Sequence, residues 1–528
     1  MTFRFHSPRR SLTALALLVA LLSLLVFNLE LGTAAQAQKD RDCPVRVPLL
    51  QVNDVYQFAP VDGGTRGGLA RVATLRKQIM AESPHTLFLM AGDTISPSIE
   101  SNTYKGQQMI EAWNAAGLDY AAFGNHEFDF GPETLRERVR ESKFKWLAAN
   151  VVEKPSGKLF ADTPEFVIRE FDGVKVGLFG ILLPDTRVTS SPGPNVNILD
   201  PCATAARVIP KIRAKGAKVI VALTHLSMNE DKQLARCSGV DVIIGGHEHT
   251  LLESMAGHAP IFKMTSDARE LGRIDLNINK TTGMLESIDW KVIPVTNETA
   301  DDPGFASLDR KYGDLLRSLE QPVGRTDVEL DIKSESVRTR ETNMGNFIAD
   351  TYRQATGADV ALVNGGAIRA DVLIKPGVLT KRDVLSVLPF NNKVVKIQIS
   401  GAVLRAVLEH GVASIGTEAQ PGRFPQVSGV RFTYDASRKP GSRLTSVTVN
   451  GKPLADRATY TVAATSYVIE GGDGYKAFGS PTFLIRPDQG LSESDLLQQA
   501  IGAVPSIAPK VDGRIQRVDV GKDQSECK

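Results

Sequence analysis

Residues 240–249 read VDVIIGGHEH: an apolar run, two glycines, then two histidines flanking a glutamate. The run is short, bounded by glycine and rich in β-branched residues, which predicts a buried strand. The polar cluster then sits at the strand's carboxyl end, where open α/β sheets place their sites. The same construction occurs at VRVPLLQVND (45–54), TLFLMAGD (86–93), DYAAFGNHEFD (119–129) and KVIVALTH (218–225). Each ends in Asp, Asn or His. A carboxylate can bridge two cations, while imidazole and amide oxygen complete the shells, so this donor set suits a pair of divalent ions. Singly, each histidine reads as a hydrogen-bonded structural residue. Jointly they do not, because histidine is scarce, with 8 in the whole chain.

In their order, Asn53-Asp54, Gly92-Asp93, GNHEFD, Thr224-His225 and GGHEH resemble the motifs of calcineurin-like metallophosphoesterases. The second half adds ETNMGN (341–346), NGGAIR (364–369), LPFNN (388–392), FPQVSG (424–429) and GGDGY (471–475). Together they resemble the bacterial and animal 5'-nucleotidase family, over roughly residues 45 to 515. The resemblance implies two α/β domains. The first is a layered α/β/β/α metallophosphoesterase domain, a β-sandwich flanked by helices. A linker helix joins it to a smaller α/β substrate-binding domain. It also implies two divalent metal ions (Mn, Zn, Mg or similar) held by Asp54, Asp93, Asn125, His225, His247 and His249. Asp93 would bridge them, with Asp54 and His249 on one ion and Asn125, His225 and His247 on the other. His126 and Asp129 would act on the phosphoryl group, the carboxylate orienting the imidazole. On the second domain, Arg340, Asn364 and Arg369 would bind the nucleotide's phosphate-ribose side or its base edge. Phe390 and Tyr467 would sandwich the base, and Asp473 would accept hydrogen bonds from the ribose hydroxyls.

The chain departs from the family at one place. Asp-x-His is usual in the first motif, and this sequence has Asp54-Val55-Tyr56. Tyrosine could ligate as a phenolate, which needs a strongly polarising metal. Alternatively Tyr56 stands aside and water fills the position. Two rival readings stay open: a related dimetal hydrolase acting on a non-nucleotide substrate, such as a thiosulfohydrolase, and a nucleotide-binding protein with a decayed metal site.

The 528 residues exceed one hydrophobic core. Alternating strand-like and helical runs, such as GLARVATLRKQIMAE (68–82) and CATAARVIPKIRAKG (202–216), predict a catalytic domain over 45–295. A turn-rich stretch and an amphipathic helix over 296–325 read as the linker, and 326–515 as the second domain. RLTSVTV (443–449) before Asn450-Gly451 predicts a hairpin. A formal net charge of +2 gives no electrostatic case for a nucleic-acid polymer, whereas a single nucleotide needs only a local anion site. Arg4, Arg9 and Arg10, the apolar run 12–27 and Ala35-Gln36-Ala37 read as a signal peptide spanning 1–37. A secreted or periplasmic protein with no membrane span after cleavage is therefore expected. The 4 cysteines of an exported chain suggest disulfides. Three pairings are possible; placement in one domain favours Cys202–Cys237, which leaves Cys43 with Cys527. Oligomeric state is not legible.

Overall fold

The computed structural model describes residues 44–519, apart from 391, 418–420 and the side chains of 314–316. The signal-peptide reading of 1–37 and the Cys43–Cys527 pairing fall outside the described residues. The first strand, Val45–Val52, shows how the layers arise. Val47 and Leu49 face a second sheet, while Leu50 and Val52 face the helical layer. A strand covered on both faces reads as a continuous apolar run rather than an alternation. Each fully buried valine or leucine contributes on the order of 1.5–3 kcal/mol.

Val45–Val52 pairs in parallel with Leu87–Met90, which is followed by Tyr120–Ala122 and Lys145–Leu147, also parallel. On its other side it pairs antiparallel with Glu270–Ile278, and that strand with Leu285–Pro294. The second sheet has the order Leu252–Ala256, Ala259–Lys263, Val242–Gly245, Val219–His225, Val174–Leu182, Val167–Phe171. Val176, Leu178, Val219, Val221 and Ile244 of this sheet pack against Val47, Leu49, Leu87 and Leu89 of the first. On the outer face of the first sheet, Trp113 of helix Gln107–Ala116 meets Phe88 edge-on. Helices Pro201–Ala214 and Met228–Ser238 cover the second. The former starts where Asp200 caps it ahead of Pro201, the latter where Ser227 and Glu230 form a capping box. The parallel strands of both sheets end at the same edge of the sandwich, which is where the motifs lie.

Helix Ala306–Ser318 leads onward, and Phe305, Leu308 and Tyr312 of this stretch are buried against the first domain, Tyr312 edge-on to Phe58 and Tyr104. The second domain holds a five-stranded sheet in the order Pro425–Ser428, Val360–Asn364, Thr459–Thr465, Val394–Ser400, Thr482–Ile485. A four-stranded sheet follows the order Lys452–Pro453, Leu444–Val449, Val430–Tyr434, Ile515–Arg517. The predicted hairpin is present. Leu444–Val449 turns into Lys452–Pro453 through Asn450 (φ 48°) and Gly451 (φ 78°), both in the left-handed region that a two-residue hairpin loop requires. Among the described residues no helix is long and apolar enough to cross a membrane.

Cys202 and Cys237 are joined in a disulfide that links the two helices behind the second sheet. They lie 35 residues apart, so the bridge restricts a sizeable loop in the unfolded chain. Replacing both with alanine should lower stability by about 3–4 kcal/mol, read from urea unfolding of the oxidised wild type and the variant. Unchanged unfolding would mean that the bridge only decorates the two helices.

Candidate active site between the two domains

Asp54 lies two residues beyond its strand and Asp93 three beyond Leu87–Met90, both in left-handed backbone (φ 54° and 63°). His247 (φ 90°) and His249 (φ 54°) share that strained conformation. Non-glycine residues persist there only when their surroundings fix them, and here the carboxylates themselves do so. Asp54 Oδ2 accepts from Asn53 Nδ2 (2.7 Å) and from the His247 amide (2.9 Å), tying the first sheet to the second. Asp93 Oδ1 accepts from the His126 amide at 2.8 Å. The loops approach so closely that a Cβ at Gly124 would lie 2.1 Å from Asp93 Oδ1, and one at Gly92 2.4 Å from His225 Nδ1.

Ligand atoms of Asp54, Asp93 and His225 all lie within 4.8 Å of one another. His225 Nδ1 donates to the Ala91 carbonyl (2.8 Å), which commits that nitrogen as a donor and turns Nε2 toward the carboxylates. Nε2 lies 3.1 Å from Asp93 Oδ2 yet lacks a hydrogen-bond alignment. His249 Nε2 lies 3.2 Å from Asp54 Oδ1, and the His225 and His247 rings meet edge to face at 5.2 Å. Asn125 Oδ1 is buried with no hydrogen-bond partner among the described residues. Burial and then Asp93 act on His225 in opposite directions, and the carboxylate wins, raising the imidazole to about 10. Two buried carboxylates thus draw positive charge to this point, a proton where no cation is held. Burial, reinforced by His225, keeps His247 well below its ordinary value, and burial likewise lowers His249, so both stay neutral as ligands must be. The donor set fits divalent metal.

The Tyr56 hydroxyl is in the middle of this set: 3.2 Å from Asp54 Oδ1, 3.5 Å from Asp93 Oδ2 and 2.7 Å from His249 Nε2. Burial pushes its ionisation well above the ordinary tyrosine value, against the pull of Arg369. Next to it His126 pairs through Nδ1 with Asp129 Oδ2 at 2.7 Å. Burial disfavours the imidazolium, but Asp129 and Asp93 outweigh it and raise His126.

The second domain reaches into the same place. The Arg369 guanidinium lies between the rings of Tyr56 (5.0 Å) and Phe390 (5.8 Å). Phe390 in turn stacks on His126 at 5.7 Å. Asn364 ends its strand and donates to Asp473 Oδ2 (2.6 Å), and the Tyr467 hydroxyl is 3.0 Å from Asp473 Oδ1. Arg340 is elsewhere: its guanidinium is largely exposed and pairs with Ser336 (2.5 Å) and Asp331 (3.6 Å). Arg338 turns inward instead. It is buried, and its guanidinium is held down at about 10, by burial first and by neighbouring Arg369 second. Among the described residues, Nε of Arg338, Nη2 of Arg369 and Oδ1 of Asn364 are buried without hydrogen-bond partners.

Two supporting groups escaped the sequence reading. The Glu127 carboxylate gathers the amides of Asp93 (2.9 Å), Thr94 (2.7 Å), Ile95 (3.2 Å) and Gly124, and burial with Asp93 raises it to about 7. Lys263 is buried between Asp231 (2.8 Å) and Glu248 (2.5 Å) and donates to the carbonyls of Leu226 (2.6 Å) and Gly246 (2.8 Å). It therefore welds the loop of His225 to that of His247 and His249.

Residues 47–251 match the calcineurin-like phosphoesterase family profile, and residues 322–480 match the 5'-nucleotidase C-terminal domain. The 5'-nucleotidase of Bos taurus is 30% identical over 497 residues, 85% of each chain. The chain belongs to the 5'-nucleotidase family. It is also similar to the trifunctional nucleotide phosphoesterase protein YfkN of Bacillus subtilis, 32% identical over 95% of this chain, which spans 37% of that longer protein. In structure it resembles a 5'-nucleotidase precursor from Thermus thermophilus, with a TM-score of 0.82 at 31% identity over 90% of this chain and 99% of the other. Members of this family hydrolyse phosphoric esters, so this chain is a hydrolase of that class.

Removing the lysine would strand two buried carboxylates. Lys263→Met should cost about 3–5 kcal/mol in urea unfolding. It should also weaken Mn²⁺ binding in calorimetric titration, because the histidine loops lose their common anchor. Unaltered stability and unaltered metal affinity together would show that the weld is dispensable.

Proposed function

We propose that this protein is an exported 5'-nucleotidase that releases phosphate from nucleoside 5'-monophosphates with the help of two divalent cations. The observation that carries this reading is the set of unsatisfied buried groups facing each other across the domains. Arg338 and Arg369 are two buried guanidiniums that repel each other, with partnerless N–H groups. An anion would satisfy these guanidiniums on one side and cations held by the metal-ligand cluster on the other, and a phosphoryl group has the charge and the oxygens to do so. The names of the relatives and the matched domains support a nucleotide as its bearer.

In this reading Asp93 would be a ligand shared by both cations. Asp54 with His249 serves one, and His225, His247 and Asn125 the other. That division is supported by the carboxylate–imidazole pairs at 3.2 and 3.1 Å. The cations, when bound, supply the positive charge that polarises the phosphoryl oxygens and activates water. The chain's own residues do the rest. Arg369 binds the phosphoryl oxygens. His126, kept protonated by Asp129, hydrogen-bonds the oxygens on which charge develops. Asp473 accepts from the ribose hydroxyls, while Phe390 and Tyr467 offer rings to the base. Tyr56, held neutral, donates its proton within the ligand cluster rather than ligating as a phenolate. Export rests on the N-terminal sequence pattern and on secreted relatives such as snake venom 5'-nucleotidase.

The purified protein should release phosphate from AMP with Mn²⁺ and lose that activity on chelation. No AMP turnover in Mn²⁺, with a simple phosphate ester still cleaved, would remove the nucleotide from the reading. Asp93→Asn should abolish turnover without unfolding the chain, since an amide cannot bridge two cations. More than about a tenth of wild-type kcat at saturating metal would contradict the bridging role. Tyr467→Ala should raise KM for AMP by the equivalent of roughly 1–3 kcal/mol of lost stacking. Phe390→Ala should lower kcat as well, because Phe390 also backs His126.

A further inference from the structure

The short segment after strand Val174–Leu182 touches both domains. Ser190 Oγ donates to Asp129 Oδ1 at 2.7 Å, on the oxygen that His126 does not use. The two contacts fix Asp129 from opposite sides, and with it the His126 ring. Two residues earlier, the Val188 carbonyl accepts from the Tyr467 hydroxyl of the other domain at 3.3 Å. Helix Thr186–Thr189 makes the segment stiff. The Ser190 amide closes it on the Thr186 carbonyl (3.1 Å), Thr186 is fully buried, and Leu183 at its base is bonded to the His225 carbonyl (2.9 Å). Movement at Val188 therefore reaches Ser190 with little slack.

The Tyr467 hydroxyl has one proton and two acceptors, Asp473 Oδ1 at 3.0 Å and the Val188 carbonyl at 3.3 Å. We propose that segment Thr186–Ser190 is a relay which couples occupation of the nucleoside pocket to the setting of His126, with Ser190 as its positioning residue. The proposal rests on the nucleotide reading above. Ribose hydroxyls donating to Asp473 Oδ1 weaken that oxygen as an acceptor for the Tyr467 hydroxyl and shift its hydrogen bond toward the Val188 carbonyl. The segment is then held against the second domain, and Ser190 holds Asp129 and the imidazole in line with the phosphoryl group. A phosphate ester without a nucleoside leaves the Tyr467 hydroxyl shared between Asp473 and Val188, and the segment less firmly held against the second domain. Rejection of such esters thus enters through kcat as well as through binding.

A double-mutant cycle tests this on AMP at saturating Mn²⁺. Ser190→Ala should lower kcat about tenfold with little change in KM, the scale expected when a catalytic group is slightly misplaced. Ser190→Thr, which keeps the hydroxyl, should recover most of that loss. Tyr467→Phe alone should lower kcat several-fold, but in the Ser190→Ala background it should lower it no further. Adenosine added to methyl phosphate should stimulate turnover in the wild type and not in Ser190→Ala. Additive kcat effects, a threonine variant as slow as alanine, or stimulation that survives Ser190→Ala would each overturn the relay. Failure of the wild type to hydrolyse AMP at all would instead overturn the nucleotide reading beneath it.

Discussion

Two carboxylates with almost no exposure, Asp54 and Asp93, stand at the ends of the first sheet, and the imidazoles that answer them come from the second. Buried charge is tolerated only when it is paired, and the cost of leaving it bare is large. The close approach of the two sheets at this edge therefore depends on positive charge between them. Much else follows from that need: left-handed backbone at Asp54, Asp93, His247 and His249, glycines where a Cβ would collide, and an His225 Nδ1 committed to a carbonyl so that Nε2 faces inward. Glu127 and Lys263 lie outside this cluster and tie its loops to one another.

The second domain meets the same constraint from the opposite direction. Arg338 and Arg369 are buried with too few acceptors, and Arg369 is clasped between aromatic rings from both domains. A cleft with excess negative charge on one wall and excess positive charge on the other has room for a cation and an anion together, which is the state of a metal-bound phosphate. Phe390 belongs to both halves of this arrangement. It stacks on His126 of the first domain and lies against Arg369 of the second, so the two domains share this part of the cleft.

The strand-end motifs were legible because each is local: an apolar run dictates the strand, and the polar residues directly after it must emerge at its end. The hairpin at Asn450-Gly451 was legible for a similarly local reason, whereas Cys202–Cys237 was favoured only because both cysteines fall in one domain. Arg340 was not correctly read as facing the cleft. A short helix, Ser334–Val337, ends just before it, and which of Arg338 and Arg340 turns inward depends on how the chain leaves that turn. Lys263 was invisible because its partners, Asp231 and Glu248, lie on other elements and meet it only after folding. Tyr56 was recognised as a departure, but not that its hydroxyl would lie within reach of Asp54, Asp93 and His249 at once.

The central claim is that opposite charge from two domains converges on one cation-and-phosphate site. A crystal soaked with Mn²⁺ and a non-hydrolysable nucleotide analogue, measured by anomalous scattering, tests it most directly. Two manganese peaks should flank the Asp93 carboxylate, a phosphate oxygen should bond to Arg369, and the base should lie between Phe390 and Tyr467. Manganese away from Asp93, or a phosphate bound without Arg369, would contradict it.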